Sequence, residues 1–522
     1  MEILYNSTAV LFAIILSRFL YKFLDWVWVK PRRIERLFRQ QGFSGNSYKP
    51  LIGDLVEIAR STFQANRCGP LENLSNDIAP RILPFLHNAI RVYGKKSFLW
   101  FGTAPSVIIT EPGLIKEMLA NYTTFHKPNR SAMLEVARGL FACEADRWQM
   151  NKRIINPAFH IEKLKVMVPA FYKTSREMVD KWDNIVKPEG SEVNVGPYLS
   201  ILTSDAIART AFGSNFEEGR NIFHNLDKLT MLINELGPFA FIPQYWALPT
   251  KMKMKIQKKA REVRGLVQEV VVKRMEEVRA GKATASTADL LGILLESNLE
   301  EIRNNGNMNK GLSMDEVIEE CKLFYFGGQE TTTNLIGWTL IYMGKHLEWQ
   351  QRLRDEIMQA FGPVAAIQSC DFHKLSHLKI MNMILNEILR LYPLAPVLSR
   401  ETREDTKLGN IKLPAGVHVV VPLISLHRDK DLWGGDALEF KPERFKDGIS
   451  KASNTPGAYF PFGGGPRICI GQNYALVEAK VALIAILQRF SVQLSPSYKH
   501  YPEWVLTLQP RSIAVNLILR KL

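Results

Sequence analysis

From about residue 80 to residue 392, apolar side chains recur at helical spacing almost without interruption, and this pattern limits the fold more than any other feature. Runs with strand character are few: "SVIIT" at 106–110 and "GVHVVVPLISL" at 416–426. The expected class is mainly α with small β-sheets. The chain's length would by itself suggest about three domains. After residue 50, however, no stretch is long and polar enough to separate domains. "NLEEIRNNGNMNKG" (Asn298 to Gly311) is expected to be an exposed loop, but helical patterns flank it. The reading is one large domain over 51–522, and 46% apolar residues suffice for a sizeable core.

The N-terminus is different. Residues 8–29, "TAVLFAIILSRFLYKFLDWVWV", are mostly apolar and about long enough to span a bilayer, although Arg18, Lys22 and Asp25 interrupt them. Trp26 and Trp28 suit a membrane interface. Lys30, Arg32, Arg33, Arg36 and Arg39 follow, against only Glu2 on the other side, so everything after residue 30 is expected to face the cytosol. No small-residue cleavage site follows, which points to a retained signal anchor over 1–29, with a buried amphipathic helix as the alternative. Pro31 and "GFSGNSYKP" (Gly42 to Pro50) read as a basic, Pro/Gly hinge over 30–50.

The formal charge of +15 fits an anionic membrane surface or an acidic protein partner. Nucleic acid is not expected, because no basic stripe is interleaved with aromatics. "KMKMKIQKKAREVR" (Lys251 to Arg264) is either a solvated helix face or, with the apolar "FAFIPQYWALP" (Phe239 to Pro249), a second membrane contact. The five cysteines (Cys68, Cys143, Cys321, Cys370, Cys469) are scattered and odd in number, which argues against a disulfide framework and fits a reducing compartment.

One of them sits in an unusual loop, "FGGGPRICIG", Phe462 to Gly471. A dinucleotide loop would need glycine where Ile468 stands, and a Walker loop would need Gly-Lys-Ser/Thr, so this is no phosphate cradle. Glycines on either side let backbone approach the Cys469 sulfur, and the amphipathic "NYALVEAKVALIAILQRF" (Asn473 to Phe490) starts a helix just beyond it. Backbone N–H groups and a helix N-terminus both favour a thiolate. A second polar feature interrupts an apolar helix: "FGGQETTTNLIGW", Phe326 to Trp338. Ser313 and Glu316 form a capping box at that helix's start, and its pattern runs to about Lys345. Two glycines and three threonines suit an opened or kinked helix, either against a neighbouring helix or beside a buried reaction centre needing an acid and an alcohol.

The spacing F-x-x-G-x-R-x-C-x-G, met by Phe462, Gly465, Arg467, Cys469 and Gly471, resembles the haem-binding loop of cytochrome P450 monooxygenases. The resemblance implies that Cys469 is the axial ligand of haem b and that Glu330 and Thr331 are the acid–alcohol pair of the oxygen-activating helix. Gly327 stands where the family often has alanine, which implies looser packing over the haem. Glu387 and Arg390 in "NEILRLYP", with Arg444 of "FKPERF", match the family's buried structural network; an isolated ExxR would carry little information. Trp148 matches the family's propionate-contacting tryptophan, but the basic position four residues on is Lys152, with Arg153 beside it. Arg400 and Arg467 match further propionate-binding positions. "LHRD" (Leu426 to Asp429) is similar to a kinase catalytic loop, but the position five beyond Asp429, asparagine in a kinase, is Gly434.

Several stretches, among them "RIERLFRQQGFSGNSY", "EECKLFYFGGQETT", "CIGQNYALVEAK" and "LSPSYKHYP", resemble plant microsomal enzymes of the seventy-two clan. The clan implies a terpenoid substrate or a hormone (gibberellin, brassinosteroid or cytokinin), in specialised or in hormone metabolism. It also implies single-pass residence in the endoplasmic reticulum membrane. Electrons would come from NADPH through NADPH-cytochrome P450 reductase, a separate flavin protein, because no flavin or nicotinamide motif is found here. The family places substrate near Met133–Cys143, Phe324–Gly327, Pro396–Leu398 and Trp504–Leu506, a mostly apolar set suited to a lipophilic small molecule. The alternative within the fold is an oxygen-independent isomerase or dehydratase of hydroperoxides, against which the Glu330–Thr331 pair argues.

Overall fold

A single helical run opens the chain and passes through a proline. In the computed structural model it comprises an α-helix (Glu2–Leu24), a π-helical turn (Asp25–Val29) and a second α-helix (Lys30–Gln40). Pro31 has no N–H to give the preceding turn, and the wider π turn, in which the Lys30 N–H reaches the Asp25 carbonyl, absorbs the mismatch. The first part of the expected 30–50 hinge is thus helical; Ile34 and Phe38, four apart, bury one face. The turn comes at Gly42, with φ +83. Among the described residues no helix is long and apolar enough to cross a membrane, and Arg18 and Lys22 sit within the one that comes nearest. That helix nevertheless exposes Leu11, Phe12, Ile15, Phe19 and Leu20.

The structure describes residues 2–128, 133–136, 138–236, 249–279, 289–306, 310–363, 367–368, 371–511 and 514–522. The apolar segment Phe239–Pro249 lies, but for its last residue, outside them. Two compact units emerge: Met1–Cys68 with Leu83–Pro128 and Val397–Pro422, and Gly69–Ile82 with Asn129–Pro396 and Leu423–Leu522.

The smaller unit is built on a five-stranded sheet in the order Ser97–Phe101, Ala104–Ile108, His418–Val421, Leu398–Thr402, Phe125–His126. Its neighbours are antiparallel except Ala104–Ile108 with His418–Val421, where Val107 lies opposite Val419. Both expected strand runs are found, though Pro422 ends the second and Leu423–Leu426 is helical. Trp100 is fully buried against Tyr48, ring centroids 4.7 Å apart, and Asp54 accepts the Trp100 N–H at 2.8 Å.

The larger unit is helical, with the antiparallel sheet Ser191–Asn194, Asn516–Lys521, Phe490–Leu494 and the hairpin Pro502–Trp504/Leu508–Pro510. Its longest element described is the helix Met314–Lys345, which packs along Gly196–Phe212, while Ile161–Ile185 packs on Gln472–Arg489. The capping box forms as expected: Ser313 Oγ accepts the Glu316 N–H, and Glu316 Oε2 accepts the Ser313 N–H at 2.9 Å. The polar Asn298–Gly311 stretch is largely helix rather than loop, because Leu290–Asn305 continues to Gly306, φ +61. Asn298 is buried there and pins the returning chain through both Leu312 backbone groups, at 3.0 and 2.6 Å.

Candidate active site

The cysteine loop is shaped by glycines that turn where other residues would be strained. Gly463 (φ +74) and Gly465 (φ +65) lead into a short 3-10 turn, Gly465–Arg467. The Cys469 N–H then closes the loop on the Phe462 carbonyl at 3.0 Å. The helix Gln472–Arg489 follows, with Gly471 as its N-cap, so the exposed Cys469 thiol stands just ahead of a helix N-terminus, where an anion is favoured. A side chain at Gly471 would begin 4.0 Å from the Cys469 Sγ and from the Phe159 ring.

Glu387 and Arg390, one turn apart on Lys379–Leu391, are both fully buried, and all five guanidinium N–H groups of Arg390 have acceptors. Nε and Nη2 hold Glu387 at 2.7 and 2.8 Å; Nη1 reaches the His427 and Ala437 carbonyls at 2.7 Å; Nη2 also reaches the Glu439 carbonyl at 3.1 Å. Arg444 approaches Glu387 at 3.5 Å and binds the Trp433 carbonyl and Asp436. The expected three-residue network is present, and it fastens 427–444 to the helix. His427 extends it: its Nε2 accepts the Phe460 N–H at 3.1 Å, two residues before the cysteine loop. Burial and the neighbouring arginines push the His427 imidazole down to about 3, so it stays neutral and able to accept.

On the helix Ala145–Ile155, the Trp148 ring has two cations close to it, Lys152 Nζ at 5.1 Å and the Arg467 guanidinium at 5.0 Å from its centroid. Lys152 donates to the Pro466 carbonyl at 2.7 Å, and Arg467 pairs with Glu144 at 2.9 Å and with the Cys143 carbonyl. Arg153 points elsewhere, to Glu301 on Leu290–Asn305. The structure thus gathers Trp148, Lys152 and Arg467 around the loop and leaves Arg153 out. Arg400, on the strand Leu398–Thr402, belongs to the other unit, where it is buried and donates to the Ser399 carbonyl at 2.8 Å.

The glycine- and threonine-rich stretch does not open its helix: Met314–Lys345 is α-helical throughout. Thr331 and Thr333 donate back to the Gly327 and Gln329 carbonyls, at 2.6 and 2.9 Å, so the hydroxyls join the helix rather than breaking it. Two side chains of the stretch also meet Gly196–Phe212: Gln329 donates to Ser200 at 3.0 Å and Thr333 bonds Thr203 at 2.6 Å. Gly328 makes this approach possible, since a Cβ there would lie 2.7 Å from Ile207. Gly327 is the opposite case, with no atom within 4 Å of an added Cβ, so the face it shares with Thr331 borders open space.

Glu330 is buried, and burial, aided by the Asp227 carboxyl, pushes it up to about 7. The Thr507 hydroxyl works against this by donating to Glu330 Oε1 at 2.6 Å, and Asn334 Nδ2 donates to Thr507 at 3.0 Å. Sequence reasoning missed both partners. Asn334 lies four residues beyond Glu330 on the same helix face, a signal that was available; Thr507 is distant in sequence and gave none. Also missed was Glu320, buried and pushed up to about 7, which accepts the Leu140 N–H at 2.9 Å and faces Asn151 at 3.3 Å. Of the expected substrate-facing stretches, Phe324 packs on Phe159 at 5.7 Å, and residue 137 lies outside the described residues.

This set fits a haem: one thiol on a glycine loop, two cations and an indole beside it, and an open helix face in the same unit.

The family model for cytochrome P450 matches residues 79–517. The chain is 48% identical to cytochrome P450 CYP72A219 of Panax ginseng over 504 residues, 96% of each chain. It is 45% identical to cytochrome P450 72A15 of Arabidopsis thaliana over 511 residues, 97% of each. To the 7-deoxyloganic acid hydroxylase of Catharanthus roseus it is 44% identical over 526 residues, 99% of each. Membership implies haem b on a cysteine thiolate, electrons from an external reductase, and a lipophilic substrate. The chain belongs to the cytochrome P450 monooxygenase family, within its plant seventy-two clan.

Proposed function

We propose that this protein is a membrane-anchored monooxygenase that hydroxylates a lipophilic terpenoid, or a hormone derived from one, with O2 and electrons delivered from NADPH. The observation that carries this reading is the adjacency of the buried Glu330 and the half-buried Thr331, the latter on the Gly327 face that borders open space, in the same unit as the Cys469 loop. Cys469 would hold the haem iron as its thiolate, which supplies the redox chemistry that activates O2. Phe462, Gly465 and Gly471 shape the loop around that sulfur. Trp148, Lys152 and Arg467 would bind the propionates, Lys152 giving charge without arginine's fork. Glu330, poised near neutrality, takes up and releases protons, and Thr331 holds a proton at Oγ1 beside the Gly327 carbonyl.

The anchor would be the N-terminal helix, supported by its exposed apolar side chains and the arginines that follow, with the catalytic domain over 51–522 on the cytosolic side of the endoplasmic reticulum. The net positive charge would serve docking of NADPH-cytochrome P450 reductase. The name of the Catharanthus relative supports hydroxylation of a terpenoid-related acid. The test is incubation of microsomes carrying this chain and the reductase with 7-deoxyloganic acid, other terpenoids and plant hormones, read by mass spectrometry. A hydroxylated product that requires NADPH and O2 is expected. Conversion of a hydroperoxide without NADPH would favour an isomerase instead.

A further inference from the structure

The Glu330 carboxyl is held by a residue from a distant part of the chain. Thr507 lies between the strands Pro502–Trp504 and Leu508–Pro510, is 5% exposed, and sits at the turn where Trp504 pairs with Leu508. The hairpin is fastened on both sides: Leu508 donates to the Leu394 carbonyl at 2.9 Å and accepts from the Trp338 indole at 3.1 Å. Thr507 is therefore not a loop residue that happens to be near.

The hydrogen bonds around it have a direction. A threonine hydroxyl has one proton to give and lone pairs to receive. Asn334 Nδ2 donates to Thr507 Oγ1 at 3.0 Å, and Thr507 spends its proton on Glu330 Oε1 at 2.6 Å. Glu330 and Asn334 are four residues apart, so both reach the same hydroxyl from one helix face. The chain of donors ends on a carboxyl oxygen, an arrangement that suits the ionised acid. From the helix Phe216–Leu236 the Asp227 carboxyl, itself beside His224, opposes that ionisation, as does burial.

We infer that Thr507 is a positioning residue for the proposed acid: its hydroxyl, primed by Asn334, fixes the Glu330 side chain and stabilises its ionised form. The inference rests on the reading of Glu330 as the group that handles protons. Without the hydroxyl, Glu330 keeps its burial, the opposing Asp227 and the backbone donor of Thr507, but loses the larger, side-chain donor.

The test is pH-dependent infrared difference spectroscopy on the full-length ferric holoenzyme, with the Glu330 carboxyl band assigned by its loss in Glu330→Gln. Thr507→Val keeps the shape and removes the hydroxyl; its Glu330 midpoint should rise by about one to two pH units. Thr507→Ser restores the hydroxyl and should titrate like the wild type. A midpoint unchanged in Thr507→Val, or one shifted as far in Thr507→Ser, would overturn the inference. The CO spectrum of the reduced protein, taken on the same samples, separates the two levels. Its thiolate band should survive Thr507→Val, and absence of that band from the wild type would sink the haem-thiolate assignment while the carboxyl titration still decides the role of Thr507.

Discussion

Arg390 shows what a single side chain must do when it is buried with its charge. Every N–H has an acceptor, and Glu387 supplies two of the five bonds. Removing Glu387 leaves the buried Arg390 guanidinium without its carboxylate, so Glu387→Ala should destabilise the protein by about 3–5 kcal/mol in denaturant unfolding. A loss under about 1 kcal/mol would mean that the network is ornamental. The ExxR spacing was visible in the sequence, but its weight was not: the acceptors are carbonyls at 427, 437 and 439, which no spacing rule connects to residue 390. Glu330 makes the same point for chemistry. Glu330→Gln keeps the Thr507 contact but cannot ionise, and should lower turnover with NADPH about a hundredfold or more, measured as product per enzyme. Turnover within about twofold of wild type would remove Glu330 from the proton path.

The helix Met314–Lys345 was legible at its ends and misread in its middle. The capping box and the stop near Lys345 follow from local chemistry. The expected opening at the threonines did not occur, because Ser200, Thr203 and the helix's own carbonyls take up the polarity. These partners come from tertiary packing, which local competition between hydroxyls and backbone does not foresee. The first part of the 30–50 segment is helical for a related reason: Pro31 argued for a break, and a π turn offered a way past it, so the turn comes only at Gly42. Two glycines of the long helix give opposite predictions. Gly327 faces open space, so Gly327→Ala should raise stability of the haem-free protein by about 0.5–1 kcal/mol through helix propensity. At Gly344 a Cβ would lie 2.8 Å from the Leu494 backbone nitrogen, and Gly344→Ala should lower stability by about 1–3 kcal/mol. Thermal unfolding of the pair checks both signs together.

For the molecule as a whole, buried carboxyls set a pH dependence that charge counting hides. Burial pushes Glu320 and Glu330 up to about 7 and Asp289 to about 6. In the unfolded chain these groups lose their protons near pH 4–4.5, so above that the folded state holds more protons, and stability falls as pH rises towards 7. His427 and His500, kept neutral by burial down to about 3 and about 4, act oppositely and cost stability as pH falls below their unfolded range. Glu320→Gln removes one carboxyl contribution; its unfolding free energy should decline less than wild type between about pH 5 and pH 8, by up to about 3 kcal/mol. Parallel curves would show that Glu320 is ionised in the native state.

The mainly helical class, the small sheets and the cysteine loop were readable from period and spacing. What was not readable is how distant segments complete one another: Thr507 on Glu330, His427 on Phe460, Glu144 on Arg467. The central claim concerns one sulfur, and one measurement reaches it. The reduced wild-type protein should show the red-shifted Soret band of a thiolate-bound haem under CO, and Cys469→Ala should lose that band. A wild-type spectrum without the band, or a Cys469→Ala spectrum that keeps it, would contradict the assignment of Cys469 as the haem ligand.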